Sequence, residues 1–565
     1  MFCSKYIRLL FGAWLLFGLI SQVVAQNQAS IVLSDVTNQT GIDFVHSDGS
    51  EGQYFIIESM SAGLAVLDFD ADGDLDIYFL NGAPIRPFSD KPSDKPSDKP
   101  PAGNALYRND GNWKFTNVTA LGGVGDLHMG LGIACADYDN DGFCDIYLNN
   151  YGGNVLYHNN GDGTFQDITP YAAVGNDLRV GGGASFFDMD SDGDLDLYVG
   201  NYIRFDPGKH RMHVHKGLPS YPSPIIFEPD FDTLYENLGD GTYLDVSEHS
   251  GIHAVAGRSM GLITFDYDDD GDIDIFVAND SQDNFLFKND GRGHFDEVGL
   301  AAGLALDFKG NAQASMGVEV VDLDQDGRLD LYVTSFAGEF ATFYRNLGDG
   351  LFEDATLRAG ASAATFPHVT WGVAAADLDN NATTDLVIAT GHLDPLYAQR
   401  GGASASTAYR FRNIVLNNLG LGRLQDMGAK WGSGALVVES TRGLICADLD
   451  RDGRQDVIAL NSRTAPTILK NESNPGSFVQ MRLIGTASNR EGLGAKVRIE
   501  QSGLKQIVQS HSGRGYQSEG AHGIHFGLLS SDATVHAEVE WPSGKVSRLK
   551  LRPAQFADII EPLKP

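Results

Sequence analysis

The sequence predicts an all-β fold, and three observations predict it. A nine-residue pattern, Asp-x-Asp-x-Asp-Gly-x-x-Asp, recurs seven times along most of the chain. Each copy is followed by a short apolar stretch rich in β-branched and aromatic residues, such as Asp-Ile-Tyr-Phe-Leu at 76–80. Glycine accounts for 67 of 565 residues, well above its ordinary share of about 7%. Many of these glycines stand in Asp-Gly or Asn-Gly pairs between apolar runs, the signal of tight hairpin turns. A long helical bundle is disfavoured on the same grounds.

Composition narrows the class further. With 42% hydrophobic and 10% aromatic residues the chain has material for large cores, which excludes global disorder. The 75 acidic against 41 basic residues leave a formal charge of −34. That balance excludes nucleic acid and anionic membrane as partners, because both need basic patches.

In chain order, residues 1–25 come first. Lys5 and Arg8 precede an apolar run at 9–20, and the small residues Val23 and Ala25 precede Gln26. This is the pattern of a cleaved secretory signal. An uncleaved anchor is the alternative, but the run is shorter than the roughly 20 residues that span a bilayer. The expected mature chain begins at Gln26, is secreted or periplasmic, and makes no stable membrane insertion. Cys3 leaves with the signal, and Cys135, Cys144 and Cys446 are too few for a disulfide framework. Either Cys135 and Cys144 form a bridge, or two thiols are buried and one lies in a loop.

Within 26–474 the acidic loops are Asp68, Asp70, Asp72, Asp76; Asp137, Asp139, Asp141, Asp145; and Asp188, Asp190, Asp192, Asp196. They continue as Asp266, Asp268, Asp270, Asp274; Asp322, Asp324, Asp326, Asp330; Asp377, Asp379, Asn381, Asp385; and Asp448, Asp450, Asp452, Asp456. Carboxylates at positions one, three, five and nine form a ring of hard oxygens. The seventh residue adds its main-chain carbonyl: Asp74, Phe143, Asp194, Asp272, Arg328 and Arg454 in loops one to five and seven. Glycine at position six permits the turn. Such a set suits calcium rather than zinc or copper, and the chain lacks the twelfth-position Glu and flanking helices of an EF-hand. Loop six, with Asn381 and Ala382, lacks one charge and the turn glycine and is expected to be weak or empty.

The flanks repeat as well. A glycine stands five residues before each first Asp: Gly63, Gly132, Gly183, Gly261, Gly317, Gly372 and Gly443. Beyond loops one to six a Leu-Tyr-x-Asn-x-Gly-Asp-Gly-x-Phe element recurs, weakest at 415–424, then a fourth element of Asp-Val-Thr type. Each unit therefore reads as four short strands. The seventh unit lacks a fourth strand, and residues 31–37 supply an orphan one, so the ends should pair. The expectation is a seven-bladed β-propeller closed by its N-terminal strand, with glycines on the crowded innermost strands.

From 475 the loops stop. Strand-like runs at 478–484, 495–500, 505–510, 523–528, 534–541 and 546–551 predict a small β-sandwich. Long connections between second and third strands fall at 82–103, 202–231 and 391–412, on the end of the blades opposite the acidic loops. The first contains Ser-Asp-Lys-Pro three times, at 89–100, and reads as an extended polyproline-like segment. The second carries His210, His213 and His215, which would be either a zinc or copper site or a solvated loop. Outside Glu228, Asp230 and these histidines the insertions hold few paired acids and bases. No catalytic or phosphate-loop motif is found, so no catalytic residue is assigned.

The repeats resemble FG-GAP/VCBS-type propeller repeats, as in integrin α heads. The first unit, with Phe44-Val-His46, Glu58-Ser-Met60 and the stretch 63–76, resembles the start of cartilage acidic protein-like proteins. Residues 488–495, 515–518, 525–527 and 541–544 match in order the ASPIC/UnbV signature. The resemblance implies a seven-bladed propeller with calcium in its blade loops. The functional expectation is a monomeric extracellular or periplasmic binding or adhesion protein with a protein or glycan ligand. An extracellular enzyme acting on polysaccharide or a small molecule is the alternative.

Overall fold

The computed structural model describes residues 31–61, 63–85, 103–400 and 408–563. The expected signal at 1–25, the Ser-Asp-Lys-Pro repeats at 89–100 and part of the third long connection, 401–407, lie outside them. The architecture is all-β.

Seven antiparallel sheets follow the seven repeats, each of four strands, with the short strand Gln313–Ala314 added to the fourth beside Asp274–Gln282. The first runs Leu64–Leu67, Asp76–Phe79, Ala105–Asn109, Phe115–Asn117, and sheets two to six keep that sequential order. The two inner strands of this sheet are buried at every position. Both their faces are covered by neighbouring sheets, which is why they read as continuous apolar runs rather than alternating ones. The outer strand alternates again, with Phe115 buried and Thr116 and Asn117 exposed.

The fourth element ends earlier than the sequence predicts. The strand stops at Asn117, Asp167 or their equivalents, and the Thr two residues on opens a one-turn helix such as Thr119–Gly122. Asn117 Oδ1 accepts from Thr119 N and Oγ1 at 3.1 and 2.7 Å. A short polar side chain that satisfies free amides in this way favours a turn over continued strand.

The strand Leu33–Asp35 pairs with Thr467–Asn471 of the last unit, in the register Leu33↔Asn471 and Asp35↔Leu469. The sheet order is then Leu33–Asp35, Thr467–Asn471, Asp456–Asn461, Thr441–Ala447. The innermost strands adjoin in succession, and Leu64–Leu67 meets both Met129–Ala136 and Thr441–Ala447, so the succession closes on itself. A second cycle runs through side chains. The third-strand asparagine of each sheet donates its amide to a carbonyl of the preceding sheet: Asn159 to Phe69, Asn237 to Tyr138, Asn289 to Met189, Asn346 to Tyr267, Asn418 to Leu323 and Asn471 to Leu378. Asn109 of the first sheet completes it by donating to Leu449 of the seventh at 3.0 Å. The crowding at the axis is visible at Gly132, where an added Cβ would lie 2.0 Å from the Gly182 carbonyl oxygen.

Beyond the last blade, seven strands form two sheets. Phe478–Ile484 lies between Ile524–Gly527 and, in parallel, Gln555–Ile560. The second sheet runs Leu504–Gln509, Lys496–Gln501, Val535–Glu540, Val546–Leu551. Val479, Val497, Phe526, Val539 and Trp541 share the core between them. The strand Gln555–Ile560 was not expected; most of its residues are exposed or half-buried, which weakens its apolar signal.

The connection between these sheets enters the propeller axis. Gly515 exchanges both main-chain hydrogen bonds with Val318, and Glu519 does so with Leu64 and Val66. The Ser185 hydroxyl donates to the Ser512 carbonyl at 2.8 Å. Tyr516, fully buried, donates its hydroxyl to the Met60 carbonyl at 3.1 Å and stands edge-on to Trp371. The buried Arg442 guanidinium also lies over the Trp371 ring, 4.0 Å from its centre. The C-terminal domain is thus pinned through the ring. Replacing Tyr516 by Ala should cost about 3–5 kcal/mol and lower the melting of both domains together, as read by calorimetry.

Among the described residues Cys135, Cys144 and Cys446 are free thiols.

Candidate metal centres in the blade loops

Each acidic loop joins the first strand of a blade to the second, and one hydrogen-bond frame shapes all seven. The first Asp accepts from the amide of residue six through Oδ2, at 2.7–3.0 Å, as Gly73 to Asp68 and Gly271 to Asp266. The fifth residue accepts from the amide of the seventh, as Phe143 to Asp141, Arg328 to Asp326 and Arg454 to Asp452. The seventh side chain itself varies freely, and Arg328 and Arg454 fold back on Asp326 and Asp452. Only the main chain is used there. The ninth Asp is fixed from both sides: Asp76 accepts from Asn109 N at 2.8 Å and from Phe69 N at 3.1 Å.

The fourth loop residue is left-handed in every copy, with φ of 52–64° at Ala71, Asn140, Ser191, Asp269, Gln325, Asn380 and Arg451. That conformation is strained for side chains of these types, and seven repetitions mark it as part of the design. Sequence alone did not expose it, since the residue type changes each time.

The result is a set of inward carboxylates. Ligand atoms of Asp68, Asp70 and Asp76 lie within 4.8 Å of one another, as do those of Asp137, Asp139 and Asp141, of Asp188, Asp190 and Asp192, and of Asp266, Asp268 and Asp274. Several buried oxygens have no hydrogen-bond partner: Asp68 Oδ1, Asp70 Oδ1, Asp268 Oδ1, Asp450 Oδ1 and both oxygens of Asp379. Orphaned buried acceptors of this kind fit a hard cation. Burial, reinforced by neighbouring carboxylates, pushes Asp76, Asp137 and Asp377 up to about 8 and Asp188, Asp322 and Asp448 up to about 7.

Loop six keeps the frame despite its substitutions. Ala382 adopts φ 69° in place of glycine, and its amide reaches Asp377 Oδ2 at 2.7 Å. Asp379 is 2% exposed, and Asn380 ties the loop to the Gly453 and Pro475 carbonyls.

Charge-balancing residues escaped the sequence reading. The residue before each third-strand asparagine faces its own loop in several blades: Lys288 reaches Asp268 and Asp270, Arg345 reaches Asp324 and Asp326, and Lys470 lies 2.7 Å from Asp450. His158 stands 3.4 Å from both Asp139 and Asp145. The variable position in Leu-Tyr-x-Asn was the available signal. The C-terminal domain adds Lys496, 2.7 Å from Asp266, and Glu491, which accepts from Asp137 N at 3.1 Å. It therefore lies over the acidic-loop face and leaves the opposite end of the ring to the long connections.

On that opposite end the histidines are not gathered. His210 turns Nε2 to the Gln53 carbonyl at 2.9 Å and packs on Phe55, while His213 and His215 stand exposed on a hairpin. Asp230 is engaged by Arg204 at 3.4 Å. A different group does converge there: Arg463 pairs with Asp48 and donates to the Tyr221 hydroxyl at 3.0 Å. Beside it Glu58, 2% exposed, leaves Oε2 without a partner, and burial pushes its carboxyl up to about 7.

Comparison with known proteins gives two family matches: the FG-GAP-like repeat at residues 68–148, 137–199, 266–333 and 322–388, and ASPIC and UnbV at 485–561. Cartilage acidic protein 1 of Homo sapiens is 28% identical over 564 residues, covering 96% of this chain and 69% of the relative. That of Mus musculus is 27% identical over 457 residues, covering 77% and 65%. The matched region thus spans about two thirds of these relatives. Among solved structures, YCF48 bound to D1 peptide aligns with a TM-score of 0.39 and 7% identity over 79% of this chain and 98% of that one. A lectin of Agrocybe aegerita that recognises non-reducing terminal N-acetylglucosamine aligns at 0.28 and 16% identity, covering 74% and 81%.

Proposed function

We propose, on the premise that this chain is a protein of FG-GAP-like repeats with a C-terminal ASPIC and UnbV domain, related to cartilage acidic protein 1, that it is a secreted or periplasmic calcium-binding propeller acting as a binding or adhesion module. The observation that carries the metal part is the set of buried, unpartnered loop oxygens. Calcium would be held by the carboxylates of positions one, three, five and nine and the seventh carbonyl. Its chemistry there is charge neutralisation and cross-linking of strand ends. The chain's own residues fix the carboxylates through amides and leave the orphaned oxygens turned inward.

The binding part rests on where the surface is free. With the acidic-loop face beneath the second domain, a protein or glycan ligand would use the end that carries the long connections, loops on a rigid ring. Exchanging 202–231 and 391–412 for short turns should abolish ligand capture on a glycan and protein array while calcium content stays unchanged. If capture survives the exchange, the ligand surface is elsewhere.

An extracellular enzyme is the second reading, and the Glu58, Asp48, Arg463 and Tyr221 cluster favours it, since a buried carboxyl poised near neutrality is what acid–base chemistry uses. Turnover of a polysaccharide or small molecule that disappears in Glu58→Gln, with melting unchanged, would establish it.

A further inference from the structure

The sixth acidic loop differs from the other six in what surrounds it. With Asn381 in place of the third carboxylate and Ala382 in place of the glycine, its sequence marks it as the weakest ligand set. Its burial says the opposite. Asp379 is 2% exposed and both its oxygens lack a hydrogen-bond partner, whereas the third-position Asp of every other loop is half-buried or exposed. Asp377 and Asp385 are buried with it. The fourth residue, Asn380, is also buried here and half-buried or exposed in every other copy.

A second observation lies on the third strand. From the position before its conserved-pattern asparagine, Lys288, Arg345 and Lys470 send a cation into their own loops. The sixth blade has Asn417 there, 8% exposed, and its Oδ1 is a buried acceptor without a partner. An oxygen donor thus stands where three other blades place a positive charge. Three buried carboxylates with unmet oxygens and no cation from that position are costly in a protein interior, and a bound divalent cation removes the cost. Asp377, Asp379, Asn381, Asp385 and Asn417, with the Thr383 main-chain carbonyl, offer hard oxygens in the number that calcium takes.

The surroundings also close the way out. Asn380 Nδ2 donates to the carbonyls of Gly453 at 2.8 Å and Pro475 at 2.9 Å, which ties the link between propeller and C-terminal domain across the loop. A Cβ added at Gly476 would lie 2.8 Å from the Asn380 carbonyl oxygen, and one added at Gly527, at the end of the strand Ile524–Gly527, 1.8 Å from Asp377 Oδ2. No room is left on that side. The cavity between the fifth to seventh blades and the C-terminal domain touches Asp377, Ala382 and Thr384 but not Asp379, Asn381, Asp385 or Asn417.

We infer that the sixth loop holds a calcium ion that does not exchange with solvent while the protein is folded, in contrast to the more open loops. The inference rests on the reading of the loops as calcium sites. The ion fastens the domain link to the propeller, and its exit is limited by the parting of the two domains, a process on the order of hours at ordinary stability.

The test uses the mature chain loaded with a heavy calcium isotope, transferred to natural calcium at neutral pH and followed by inductively coupled plasma mass spectrometry after gel filtration. About one labelled ion per chain should persist on the order of hours and leave when the protein is melted, while the rest of the label exchanges within about a minute. Asp379→Asn should lose that ion with the others, and Asp268→Asn, in the fourth loop, should keep it. Exchange of all the label in the parent at one rate overturns the inference and leaves the calcium reading standing, whereas a parent that takes up no calcium overturns both. Retention of the ion in Asp379→Asn would overturn its placement in the sixth loop. The exchange curve of the parent needs no variant, so the test holds even if Asp379→Asn folds poorly.

Discussion

Removing calcium should lower the melting temperature by more than about 10 °C, because sites about tenfold above their Kd contribute roughly 1.4 kcal/mol each, or about 10 kcal/mol over seven loops. The pH dependence should then invert. In the metal-free protein, burial raises Asp76, Asp137 and Asp377 to about 8 and Asp188, Asp322 and Asp448 to about 7. These groups hold protons in the folded state that the unfolded chain has already released. Their contribution is fully present below the unfolded pKa of about 4 and is lost as pH rises through the folded values. The metal-free protein should therefore be more stable in mild acid than in mild alkali. With calcium bound the carboxylates must be ionised, so stability should instead fall on acidification. Melting curves in chelator and in calcium across that range should cross; parallel curves would remove the metal from the account.

Deleting residues 31–40 should make the protein aggregate. The deletion removes the strand Leu33–Asp35, the buried Ile31 and Leu33, and the bonds from Leu33 N to Trp431 O, Val36 N to Ile468 O and Glu472 N to Val32 O. What remains is the outer edge of Thr467–Asn471, a bare strand next to apolar surface and a template for pairing with another chain. Size-exclusion chromatography with light scattering reads the outcome, and a synthetic peptide of 31–40 should prevent the aggregation. A truncated protein that stays monomeric with full calcium content would show that this strand does not hold the ring shut.

The blades were legible in the sequence because each is local. Loop, glycine and Asn-Gly elements recur at fixed offsets, and the unpaired fourth element at 31–37 could be matched to the unit that lacked one. Loop ligands were legible for the same reason, since Asp68 to Asp76 and their counterparts are contiguous. The missed features depend on residues far apart in the chain. Tyr516 belongs to a recognisable signature, yet nothing local says that it lies against Met60 and Trp371. Lys496 reads as an ordinary strand residue until it meets Asp266 across 230 positions. The end of the fourth strand was missed for a local reason, the competition of Asn117 and Thr119 hydrogen bonds with continued pairing. His210, His213 and His215 read as either a ligand set or a solvated loop; His210 turns to the Gln53 carbonyl while His213 and His215 stand exposed on a hairpin, as the loop alternative has it.

The most direct measurement is the metal content of the mature protein after exhaustive dialysis against calcium-containing buffer and gel filtration, by inductively coupled plasma mass spectrometry. Six complete loops and a sixth-position variant predict six to seven calcium ions per chain, with about one fewer in Asp268→Asn than in the parent. A protein that folds, melts cooperatively and carries less than about one calcium per chain would contradict the account.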